Sequence, residues 1–209
     1  MTAIFIPQPK TINDMVFNDL ATEKRVRQYA DEKRVGNIIL HGPKGTAKST
    51  TARIIVQTVF DNCGNENAVP ELHAKDFVNT HDMERKIYGE WNFQRVCGVK
   101  TPYIIINEAD QLAKDKQRHL RGIIDETQLG KFIFTTNHIH TFDDPLLDRC
   151  DDIEMPAVDV TIWRSKVDEW LARNNIVVDS EVVDRMLETS TGTIRDLKRI
   201  VEDIACEFS

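Results

Sequence analysis

Nine consecutive residues, Gly42, Pro43, Lys44, Gly45, Thr46, Ala47, Lys48, Ser49 and Thr50, have the types needed to hold a polyphosphate. Gly42 and Gly45 let the backbone turn so that its N–H groups face an anion. Lys48 supplies a cation for the outer phosphates, and Ser49 a hydroxyl for a divalent metal. The run follows an apolar segment, GNIILH (36–41), and opens a helix expected over Lys48–Phe60. In that setting the match predicts a P-loop binding ATP and Mg2+, with Thr50 continuing the helix. The motif expects glycine where Ala47 stands. Alanine adds only a methyl, so the loop is expected to keep its shape if φ there is negative.

A second cluster completes a nucleotide site. YIIINEAD (103–110) is an apolar strand that ends in polar groups, which places them at the carboxyl edge of a sheet beside the P-loop. Glu108 is placed to orient and polarise an attacking water, and its alternative role is a solvated strand-end carboxylate. Asn107 sits where an Mg2+-supporting aspartate is usual, so it can support metal but brings no charge. That loss could weaken metal binding, slow hydrolysis or change little. An aspartate there should raise turnover if the position limits the chemistry.

The elements that must carry these groups alternate. GNIILH, VPELHA (69–74), YIIIN (103–107) and KFIFTT (131–136) read as strands separated by helical stretches, which implies a parallel sheet in an α/β layer. A lead-in over residues 1–18 reads as a strap before a helix from about Thr22 to Lys33, and Asp61–Ala68 as a polar loop. Beyond about Val158 the apolar residues fall at helical spacing, as with Trp163, Val167, Trp170 and Leu171. The fold class is therefore an α/β P-loop module over 1–156, with a parallel sheet flanked by helices, followed by a small all-α lid over 157–209. Thr193 and Asp196 resemble a capping box on the last helix.

With 209 residues, 41% hydrophobic, the chain is long enough for one sizeable core and a small accessory domain. No window approaches a membrane span, and MTAIFIPQPK lacks the basic start and apolar run of a signal peptide, so a cytoplasmic protein is expected. The net charge of −7 argues against broad coating by nucleic acid but leaves room for a local basic track. Four separated cysteines without a CxxC pair read as reduced thiols. His138 and His140 have no evident third ligand, and a structural role is expected for them.

From the second cluster onward the spacing resembles the AAA+ clamp-loader ATPases, the small subunits of replication factor C and the ATPase subunit of phage clamp loaders. Glu108-Ala109-Asp110 is followed by Gln117, Leu120-Arg121 and Asp125, then by Asn137, Pro145 and Arg149-Cys150. Upstream, ELHAKD (71–76) looks like the family's second-strand signature, and PKTINDMVF (9–17), with Val16 and Phe17, like its adenine-side lead-in. The resemblance covers residues 9–209 and implies an oligomeric DNA-replication ATPase.

By position, Asn137 looks like sensor 1, Arg149 like an arginine finger acting on a neighbouring subunit's ATP, and Arg195 in Gly192-Thr193-Ile194-Arg195 like sensor 2. The usual serine before the finger is Asp148 here, and a plain surface ion pair is the alternative for Arg149. Lys114, Lys116, Arg118 and Arg121 stand where such proteins track a DNA backbone, although a solvated helix face would look the same. The implied partners are further copies in a ring or spiral, DNA, and a sliding clamp or other replication protein. Family members also carry a helical collar. The chain stops at Ser209 after the lid, so either the collar is missing by nature or the chain is a fragment; without it, assembly would rest on contacts between ATPase modules. The other reading is a nucleotide-gated DNA-binding adaptor, such as a transposition regulator or helicase loader, with weak or no hydrolysis.

Overall fold

The computed structural model describes residues 6–64 and 67–208. The first five residues of the expected strap, Asn65 and Glu66 of the polar loop, and Ser209 lie outside the described residues.

Three strands coincide with the apolar runs: β1 (Asn37–His41), β3 (Tyr103–Asn107) and β4 (Lys131–Thr136). The second, β2 (Glu71–His73), is shorter than VPELHA. A fifth, β5 (Cys150–Glu154), was not expected, because CDDIE has no apolar run. All pair in parallel in the order β2-β3-β4-β1-β5, which puts that acidic strand on an edge, where one apolar face suffices. The central strands are apolar on both faces. Ile38, Leu40, Ile105 and Ile133 enter one cluster beneath α1 (Leu20–Ala30) and α2 (Lys48–Asn62). Ile39, Ile104, Ile106, Phe132 and Phe134 enter another beneath α3 (Thr80–Val96) and α4 (Lys114–Glu126). Trp91, fully buried, packs on Phe132 with ring centroids 4.8 Å apart. The first helix ends at Ala30, three residues short of Lys33, and its Glu32 already has a φ of 54°.

After a short helix, α5 (Asp144–Leu147), and β5, the chain forms α6 (Val160–Arg173), α7 (Ser180–Glu188) and α8 (Ile194–Phe208). These three bury their own cluster around Trp163, Trp170, Leu187 and Val201, to which Ile6 and Val16 of the strap add. The capping of α8 differs in detail from a capping box. The Thr193 hydroxyl accepts from the Asp196 N–H at 3.4 Å, but the Asp196 carboxylate receives the N–H of Thr191 at 2.7 Å. Gly192, with φ of 71°, turns the chain into α8 where a Cβ would meet the Val158 carbonyl oxygen at 2.2 Å. No helix among the described residues is long and apolar enough to cross a membrane.

Buried polar side chains pin the frame. Gln94 of α3 clasps both backbone groups of Tyr103, accepting at 3.0 Å and donating at 2.9 Å, which fixes the start of β3. Gln117 of α4 donates to the carbonyls of Leu112 and Thr141 and accepts from the Asp143 N–H, so it joins the segment after β3 to the one after β4. At the sheet edge, Asp151 of β5 takes Tyr29 at 2.6 Å, Arg34 at 2.8 Å and Arg25, which ties α1 and its following turn to β5. Burial opposes the charge on Asp151, but the hydrogen bonds from Arg25 and Tyr29 outweigh it and hold the carboxyl below its usual range.

Because that native pKa is depressed, the unfolded chain takes the proton first as pH falls. The contribution is complete above the ordinary aspartate value and is lost below it. Asp151→Asn should therefore be less stable than the parent at neutral pH, and the gap should narrow below about pH 4. Denaturant unfolding across that range checks this; a gap independent of pH would contradict it.

Candidate functional site: a cleft at the carboxyl edge of the sheet

The loop between β1 and α2 takes positive φ at Gly42, Gly45 and Ala47. Gly42, with φ of 141°, passes so close to Met155 that a Cβ would stand 2.2 Å from its carbonyl oxygen. Ala47 does not meet the condition of a negative φ set from the sequence. It sits at φ 65°, ψ 19°, left-handed, and the loop forms regardless. An L-residue there costs about 1–2 kcal/mol relative to right-handed backbone. As the N-cap of α2 it offers no side-chain acceptor. The first N–H groups of the helix are thus left for an outside anion, which the helix dipole also favours.

Lys44, Gly45, Thr46, Ala47, Lys48, Ser49 and Thr50 line a cleft of about 600 Å³. Across it stand Glu108, Thr135, Thr136 and Asn137 from the ends of β3 and β4, and Ile194, Arg195 and Lys198 from α8. The loop and α8 touch directly, the Ile194 N–H donating to the Gly45 carbonyl at 3.0 Å. Lys48 is only 7% exposed. Its ammonium folds back onto the carbonyls of Gly42 at 2.9 Å and Pro43 at 2.6 Å. Burial pushes it down to about 8, with Asp110 pulling up and Arg195 pressing down further.

Behind the cleft wall lies Asn107, 4% exposed. Its Oδ1 accepts from Ser49 Oγ at 2.8 Å and Thr135 Oγ1 at 2.9 Å, while its Nδ2 donates to Glu71 Oε2 at 2.9 Å. Arg53 of α2 in turn clasps Glu71 with two hydrogen bonds, at 2.6 and 3.0 Å. Asn107 thus reaches the cleft through Ser49. Glu108 is exposed, lies at φ 54°, ψ 42°, and accepts from Gln111 at 3.0 Å. The oxygen donors Ser49 and Glu108 facing the cleft, with room for water, suit Mg2+, which takes few protein ligands and keeps several waters. Among the described residues no three His, Cys, Asp or Glu form a metal cluster.

Other expected residues lie elsewhere. Val16 packs against the helical cluster of α6–α8 and Phe17 against the core under α1 and α2, and neither is among the residues lining the cleft. Arg149 precedes β5, whose Cys150 pairs with Asn37 at the start of β1, so it stands at the amino edge of the sheet, opposite the cleft. There Asp125 of α4 clasps it at 2.6 and 2.8 Å, and the Pro145 carbonyl takes a third hydrogen bond at 2.6 Å. Most of the basic cluster is engaged. Lys114 donates to Thr141 O at 3.0 Å, Lys116 to Phe77 O at 2.5 Å, and Arg121 lies 3.7 Å from Asp143. Arg118 makes no such contact among the described residues.

Four contributors escaped sequence reasoning. Thr135 and Thr136 interrupt an apolar strand just before Asn137, a readable signal. Lys198 follows Arg195 by one helical turn on the same face. Glu71 could not be found, since its contact with Asn107 spans 36 residues.

The family model described as "ATPase family associated with various cellular activities (AAA)" matches residues 38–156. Similar curated proteins include replication factor C small subunit 1 of Pyrobaculum islandicum, 24% identical over 200 residues, covering 93% of this chain and 59% of that protein. Replication factor C subunit 3 of Saccharomyces cerevisiae is 22% identical over 196 residues, covering 93% and 57%. The chain thus spans less than two thirds of these relatives. Among solved structures, the Thermotoga maritima RuvB Holliday junction branch migration motor superposes with a TM-score of 0.71 at 16% identity, over 93% of this chain and 64% of that one. That likeness is one of fold.

A phosphate anion beside Lys48 raises its pKa, so binding above about pH 8 must take up a proton. Nucleotide affinity should be level below that pH and fall by up to about tenfold per unit above it. Calorimetric titrations in buffers of differing ionisation heat report both the affinity and the proton. A flat profile with no proton uptake would contradict the placement of Lys48.

Proposed function

The chain belongs to the ATPase family associated with various cellular activities (AAA), and on that premise we propose that it is an ATP-hydrolysing subunit of an oligomeric, clamp-loader-like assembly acting in DNA replication. Its similarity to replication factor C subunits supports this reading. The observation that carries the oligomer is topological: the phosphate cleft and Arg149 occupy opposite edges of one sheet. An arginine there is remote from its own subunit's cleft and suited to that of a neighbour. Residues 1–156 form the nucleotide-binding domain in this reading and 157–209 the lid.

On ATP binding, Lys48 leaves the carbonyls of Gly42 and Pro43 for the outer phosphates, while the N–H groups from Gly45 to Thr50 cradle them. Ser49 holds the cation, with Asn107 behind it. Mg2+, when bound, supplies positive charge that neutralises the phosphate oxygens. Glu108 orients the attacking water and draws on its proton; Asn137 holds that water or the γ-phosphate. Arg195 and Lys198 reach the phosphates from α8, so α8 senses which nucleotide is present. Arg149 of the neighbouring copy stabilises charge developing at the γ-phosphate. The base takes the adjoining hollow of about 460 Å³, which shares Thr50, Ile194 and Lys198 with the phosphate cleft. Val16 and Phe17 hold the strap beside it. A ring or spiral of copies repeats Arg118 and the basic face of α4 along a DNA backbone.

Turnover should rise when primed DNA and a sliding clamp are added together. Lys48→Ala and Arg149→Ala variants should each be inactive yet recover activity on mixing, because each supplies what the other lacks. Filaments on duplex DNA with little turnover, or no recovery on mixing, would overturn this reading.

A further inference from the structure

Four side chains behind the cleft form a line in which each hydrogen bond constrains the next: Arg53 to Glu71, Glu71 to Asn107, Asn107 to Ser49. The direction of these bonds decides what Ser49 can offer. A hydroxyl donates one proton and accepts through two lone pairs, so Ser49 and Thr135 are compatible with either end of the Asn107 amide. A carboxylate only accepts. Glu71 is therefore the one partner that tells the two ends apart. It takes the NH2, which turns Oδ1 toward Ser49 and Thr135 and makes both hydroxyls donors to it. With its proton committed backward, Ser49 Oγ has its lone pairs free to face the cleft.

We propose that Glu71 is a positioning residue for the metal site: by capturing the Asn107 NH2 group it sets the hydrogen-bond direction that leaves Ser49 Oγ as a ligand for Mg2+. The inference rests on the reading of Ser49 as metal holder. In the reversed arrangement the amide N–H groups point at Ser49, occupy a lone pair and place partial positive charge beside the cation. Because Arg53 neutralises Glu71, the effect of Glu71 is orientation, not added charge.

The test is the affinity for a fluorescent ADP analogue in Mg2+ and in EDTA, the ratio being the metal enhancement. Glu71→Leu should lower that enhancement by about tenfold, the scale of lost support behind a metal ligand, and leave the EDTA affinity unchanged. Glu71→Gln, which can donate as well as accept and so no longer tells the two ends of the amide apart, should fall between Glu71→Leu and the parent. Arg53→Met, which keeps Glu71 but loses the ion pair, should also retain the enhancement. Unchanged enhancement in Glu71→Leu, or a loss in Arg53→Met equal to that in Glu71→Leu, overturns the inference. If the parent shows no enhancement, or Ser49→Ala leaves it intact, the reading of Ser49 itself fails and the inference falls with it.

Discussion

The site depends on how one buried amide is satisfied. Asn107 ends an apolar strand with 4% exposure, where each unpaired polar group would cost about 1–3 kcal/mol. The demand is met by Ser49 on α2, Thr135 on β4 and Glu71 on β2. A single side chain therefore sets the spacing of four elements at the carboxyl edge, the edge at which loop and strand ends converge on the cleft. The apolar sheet supplies a rigid platform, and the amide network registers its polar rim.

Rigidity elsewhere is spent on backbone strain. Of the four non-glycine residues with positive φ among the described residues, Ala47 and Glu108 border the cleft. Each holds a conformation costing on the order of 1 kcal/mol or more, which persists only where surroundings dictate it. At Ala47 the turn aims the first N–H groups of α2 into the cleft; at Glu108 it swings a carboxylate clear of the strand. Both are placed by tertiary context: Met155 hems in the loop at Gly42, and the 3-10 turn after Glu108 is held by Asp110 receiving the Thr136 hydroxyl at 3.1 Å.

Much of this was legible in the sequence, for reasons that also explain what was not. The strands β1, β3 and β4 are buried on both faces and so read as continuous apolar runs. The loop from Gly42 to Thr50 was legible because glycines, lysine and hydroxyl stand in local order. The edge strand β5 was hidden by its aspartates, one of which, Asp151, is accommodated half-buried because Arg25, Tyr29 and Arg34 meet it. The positive φ at Ala47 was not legible, because residue type alone argues against a left-handed alanine. The cations of α4 looked free, yet Lys114, Lys116 and Arg121 bind groups distant in sequence. Sequence spacing reported which groups are present; it could not report how they are already engaged.

The central claim is that loop and α8 together make one nucleotide site. Stoichiometric titration of Mg·ATP into the parent, Lys48→Ala and Arg195→Ala chains tests it most directly. The account predicts one site per chain in the parent, no measurable binding in Lys48→Ala, and weakened binding in Arg195→Ala. Parent-like binding by both variants would place the nucleotide elsewhere and contradict the account.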